Sequence, residues 1–182
     1  MSYKDFLDSA VKSLAIITAI AAVGKYFYDL NLQDQRAART YTLAQIEQYS
    51  RGDISSSKKF VDTYWVAKFP AVLRNADQVN KRDVIKVAQF LERSDRENFS
   101  TFTTHIGVLL NHLDYMSFCA ERAVCDAELV AAFYCKEINA IRTAALPTLD
   151  AYQTKGIGIG VNAIAYFNGQ CADQPGLATA SQ

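Results

Sequence analysis

Residues 13–24 carry no charge and almost nothing polar, and they constrain the chain more than any other stretch. A surface helix of a soluble protein keeps a polar face, whereas the run from Leu14 to Val23 is apolar on every side. Taken over residues 6–28, a helix here would rise roughly 35 Å, enough for a hydrocarbon core of about 30 Å. Leu14, Ile16, Ile17, Ile20 and Val23 would then meet lipid. Tyr26, Phe27 and Tyr28 follow Lys25 as the aromatic and basic cluster that settles at a membrane interface. A cleaved signal peptide is the competing reading, and Ala21, Ala22 and Gly24 partly fit it. Asp5 and Asp8 dilute the basic start that such a signal needs, so the flanks favour a retained transmembrane anchor over residues 1–28. Lys4 and Lys12 precede the run while Lys25, Arg36 and Arg39 follow it, which leans the remaining domain toward the cytoplasm.

A chain of 182 residues, half of them apolar, leaves room for one further domain with an ordinary core. Nineteen basic residues balance nineteen acidic ones, so the field that would gather nucleic acid is missing. Three prolines and eight glycines leave much of the early chain free to be helical. The expected class is all-α: a transmembrane helix that continues into a bundle of about five helices over residues 29–152, then a glycine-rich apolar segment and flexible tail over 153–182.

Nothing interrupts residues 29–50, so a single rod runs from the anchor to Gly52, which suits the left-handed residue after a helix. Ser55, Ser56 and Ser57 offer caps for a second helix whose apolar face carries Phe60, Val61, Tyr64 and Trp65, ending before Pro70. Pro70 fits the first turn of a short helix through Leu73, and Asn80 with Asp83 makes a weak capping box. A helix over about 81–93 buries Val84, Val87, Ala88 and Leu91, and the SDRENFS run after it reads as a polar connection. From Thr101 a longer, central helix places Ile106, Leu109, Leu110, Leu113, Met116 and Ala120 on one face. Asp126 caps the next, where Val130, Phe133, Tyr134, Ile138, Ile141 and Ala145 keep the period until Pro147 kinks or interrupts it.

The run HIGVLLNHLDYMSFCAERAVCDAELVAAFYCKEINAIRTAALPTLDAY resembles the characteristic region of an uncharacterised bacterial family of short proteins. Its members have one N-terminal membrane helix and a small all-helical domain. The resemblance implies a bacterial inner-membrane, single-pass protein and a structural polar motif at Asn111, Asp114 and Asp126. Asp114 stands where that family favours glutamate, and Cys125 where glycine or an aliphatic residue is expected. The family brings a layout and no chemistry.

Candidate chemistry is thin. His105 and His112 lie seven residues apart, roughly 10 Å along a helix, too far to chelate one ion unaided. Cys119 with either histidine makes a weak nucleophile pair, since helix positions two turns apart do not touch. No catalytic, cofactor or metal residue is assigned. Cys119, Cys125, Cys135 and Cys171 read as buried apolar filler in preference to two disulfides. Gly156, Gly158 and Gly160 follow a helix rather than a strand, which argues against a phosphate loop and for docking onto the domain or a membrane surface.

The leading expectation is therefore a membrane-anchored interaction protein, an accessory or scaffold subunit that touches lipid and either a protein partner in the same membrane or a second copy, with no catalysis. Two alternatives stand beside it: an effector that acts on the bilayer through the N-terminal helix and the patch between Gly156 and Phe167, and a hydrolase or metal enzyme built on His105, His112, Asp114 and Cys119.

Overall fold

The computed structural model describes residues 3–69, 81–154, 156 and 158–171, with side chains for all of these except 3–16, 139–140 and 150–154. The described residues form six helices and no strand, as an all-α chain requires. They are α1 (Tyr3–Arg51), α2 (Asp53–Lys68), α3 (Lys81–Ser94), α4 (Arg96–Glu121), α5 (Ala127–Thr154) and α6 (Val161–Cys171). The expected short helix at Pro70 to Leu73 and the Asn80 cap lie outside the described residues.

The chain divides into two compact units, Met1–Thr40 and Tyr41–Gln182, whereas the sequence placed its boundaries at residues 28 and 152. Within the first unit α1 leaves Ile17, Ile20, Val23, Tyr26, Phe27 and Tyr28 between 55% and 68% exposed. Among the described residues no helix is long and apolar enough to cross a membrane. The side chains of Leu14 and Ile16, in the first half of the apolar run, lie outside the described set.

In the second unit α4 is the hub, with α2, α3, α5 and α6 all packed against it. Ile106, Leu109, Leu110, Leu113 and Met116 are fully buried on the face that their spacing marks out, and Ala120 nearly so. Aromatic rings pack into this core as well. Tyr64 and Phe69 lie against Phe102, at ring separations of 4.8 and 6.3 Å, and Trp65 stacks on Phe69 at 4.0 Å. Such pairs add about 0.5–1.5 kcal/mol each beyond the area they bury.

Local expectations fare unevenly. Gly52 ends α1 as expected, but it is extended (φ −90°, ψ −160°) and serves as the N-cap of α2. Glycine is needed there because a Cβ would come within 2.7 Å of the Gln48 carbonyl oxygen. Ser55, Ser56 and Ser57 fall inside α2 rather than capping it. The hydroxyls of Ser56 and Ser57 donate back to the Asp53 carbonyl, at 2.6 and 3.4 Å. The polar SDRENFS run is mostly helix: only Asp95 separates α3 from α4, pinned by an ion pair with Lys68 at 2.8 Å. Pro147 sits within α5, which runs on to Thr154.

The tail differs most. Helix α6 extends past Asn168 to Cys171 and buries Ala163 and Phe167 in the core. Of the glycines before it, Gly156 and Gly160 are turn residues, at φ +71° and +81°. At Gly160 a Cβ would also press on Leu110 and Leu149, each at 3.0 Å. The filler reading of the cysteines is overturned. Cys119 is bonded to Cys125 and Cys135 to Cys171, with Cα separations of 5.2 and 5.6 Å, and no free cysteine remains. All four are buried, as the filler reading expected, but residue type and position along the chain say nothing about which pairs meet.

Candidate functional site

Beside its core-facing stripe, α4 turns a second face outward. Val108, Asn111, Tyr115 and Phe118 recur at i, i+3, i+7 and i+10, the spacing of one helical face. Val108, Tyr115 and Phe118 remain 41%, 43% and 56% exposed. The start of α2 at Ile54 and the start of α6 at Asn162 flank this stripe, enclosing a groove of about 550 Å³. At its end the Arg122 guanidinium lies 5.3 Å from the Phe118 ring centre. Tyr41 of α1 reaches the stripe by a hydrogen bond between its hydroxyl and that of Tyr115.

His112 forms part of the groove wall and opens onto a buried polar cluster. Its Nε2 is 2.8 Å from the Tyr134 hydroxyl, and its ring stacks on Tyr49 with centroids 5.3 Å apart. Burial lowers its pKa from 6.5 to about 4, so the imidazole is neutral at pH 7. The Tyr49 hydroxyl donates to Glu137 at 3.1 Å, and Lys58 holds the same carboxylate at 2.5 Å. Burial first, and the Glu137 carboxylate second, push the Tyr49 and Tyr134 phenols above their ordinary range. One carboxylate thus ties together α1, α2 and α5 where α1 meets the bundle.

Asp114 is half-buried and faces α6. Its two oxygens accept hydrogen bonds from the Gly160 and Ala163 amides, at 2.5 and 2.8 Å. A carboxylate of the central helix therefore caps a helix 46 residues further on. It occupies the amides that a phosphate would need, so the glycine string is not an anion cradle. Asp126 caps α5 locally through the Leu129 amide at 3.0 Å, while its own amide donates to the buried Thr42 hydroxyl at 2.9 Å. Asn111 is exposed on the groove. The three residues of the polar motif thus do separate jobs: two cap helices and one lines a surface.

The residues of the enzyme alternative are not brought together. His105 meets the Ser57 hydroxyl at 3.0 Å and His112 meets Tyr134. Asp114 is occupied by α6, and Cys119 has no thiol to offer while bonded to Cys125. No cluster of three metal-ligating side chains occurs among the described residues.

Sequence reasoning missed Tyr49, Lys58, Tyr134 and Glu137 as a cluster, and the outward stripe of α4. The stripe was visible in principle: a helix with apolar residues at both 106-109-113-116 and 108-115-118 has more apolar surface than one core requires. No family model, curated protein or solved structure matches the chain.

Proposed function

We propose that the chain is a membrane-tethered helical module that docks a protein partner sharing its membrane, as an accessory or scaffold subunit without catalysis. The observation that carries this reading is the uncovered apolar surface of α1. Six large side chains, Ile17, Ile20, Val23, Tyr26, Phe27 and Tyr28, are more than half exposed. Burying a large apolar side chain is worth about 1.5–3 kcal/mol, so six together supply a drive of roughly 10 kcal/mol toward lipid or a partner helix. Lipid suits the order along the helix, with aliphatic residues first and the aromatic cluster beside Lys25 at the polar boundary.

Tethering gives weak docking its strength. A domain confined to a plane meets partners in that plane at high effective concentration, so a modest groove suffices. The α4 stripe offers anchors at the spacing by which helices dock into grooves. The bilayer-acting alternative has less support, since Ala163 and Phe167 lie buried inside the domain.

Site-specific photocrosslinking in membranes tests the docking. A photoreactive residue at Phe118 should give a discrete adduct, and one at Phe90, which is 67% exposed on α3, should not. Equal labelling from both positions, or neither a partner nor self-association after mild-detergent purification, refutes the proposal.

A further inference from the structure

We infer that the domain of residues 41–182 stands on the oxidising side of its membrane and not in the cytoplasm. The membrane in this statement rests on the tether proposed above; the side rests on the cysteines alone.

All four cysteines of the chain are consumed in two bonds. Cysteines used only as small core residues have no reason to fall in pairs. Here each falls within bonding reach of one other, and by two unrelated devices. The first pair is closed by the turn after α4, where the Val124 and Cys125 amides both donate to the Cys119 carbonyl, at 3.0 and 3.1 Å, and Ala123 takes φ +54°. The second joins residues 36 apart in sequence and is closed by the packing of α6 on α5. Structural disulfides persist in oxidising compartments, and the glutathione pool of a cytosol keeps such thiols reduced.

The second bond also has a mechanical reason to exist. At 11 residues α6 is too short to be stable alone. It is held at its first turn by Asp114 and at its last residue by Cys171, and Asn162 of that first turn walls the groove. In a reducing compartment one of the two clips would be missing.

The charge flanks oppose this orientation, with Lys25, Arg36 and Arg39 after the apolar run against Lys4 and Lys12 before it. That is an excess of one basic residue, a slight bias in a rule that works through larger asymmetries. Two complete disulfides outweigh it.

The test uses the full chain in a Gram-negative host, quenched in acid, denatured and treated with a bulky maleimide. The expected result is no adduct before reduction and four after it. Adducts should form without reduction in a host lacking its periplasmic thiol oxidase, and protease added to intact spheroplasts should digest the domain. Four adducts before reduction in the ordinary host, or a domain that resists protease until the membrane is opened, overturns the inference. Release of an oxidised chain by alkaline carbonate would refute the tether and leave the side standing; retention of a reduced chain would do the reverse.

Discussion

His112 should make the domain acid-sensitive in a window that its neighbours do not share. In the fold the imidazole is neutral because burial lowers its pKa from 6.5 to about 4. The unfolded chain restores the ordinary value, so between these limits the unfolded state binds the extra proton and stability rises with pH. The contribution is whole above about pH 7 and lost progressively as pH falls toward 4. At about 1.4 kcal/mol per tenfold change in proton affinity, the loss approaches about 3 kcal/mol. Asp95, held below the ordinary carboxylate range by hydrogen bonds from Lys68 and Asn98, titrates beneath this window. Asp62, raised by burial against the opposing Lys58, acts in the opposite direction. The assay is urea unfolding of the full chain in detergent, followed by fluorescence of Trp65, the sole tryptophan and 8% exposed, at pH 7.0, 5.5 and 4.5. The variant His112→Gln keeps a polar group near the Tyr134 hydroxyl but cannot take up a proton. Its stability should vary less across the window than that of the wild type, by about 2–3 kcal/mol. Equal pH dependence in the two proteins would refute the assignment of that proton to His112.

Other perturbations separate the joints of the fold. Replacing Cys135 and Cys171 by serine opens a 36-residue span and should cost about 4 kcal/mol, whereas opening the six-residue span from Cys119 to Cys125 should cost about 2 kcal/mol; reversed melting temperatures would contradict the chain-entropy reasoning. Asp114→Ala frees the Gly160 and Ala163 amides and should cost about 1–2 kcal/mol. Hydrogen exchange should then speed up in α6 before it does in α4. Gly160→Ala forces a side chain into φ +81° against Leu110 and Leu149 and should cost more than about 1 kcal/mol, read by thermal denaturation. Phe118→Ser, on the exposed stripe, should leave stability within about 0.5 kcal/mol and abolish the adduct formed from a photoreactive residue placed at Asn111 on the same stripe.

What the sequence disclosed follows from how far each signal reaches along the chain. The buried face of α4 was legible because Ile106, Leu109, Leu113 and Met116 repeat within a few turns. The Asp126 cap was legible because donor and acceptor are three residues apart. His112 and Tyr134 are 22 residues apart on different helices, and Asp114 caps α6 from 46 residues away, so these contacts exist only once the helices have packed. The cysteines show the limit plainly: burial was expected from cysteine's apolar character, but the pairing of residues 36 apart was not readable. Gly52 was correctly taken as a helix end, yet its cause is the Gln48 carbonyl rather than a left-handed turn.

The tether is tested most directly by the partition of the full chain in alkaline carbonate, beside a variant with Ile17, Ile20 and Val23 changed to serine. The wild type should stay with the membrane pellet and the variant should move to the supernatant while keeping its folded domain. A wild-type chain recovered intact and soluble after the wash would contradict a module held to lipid by α1.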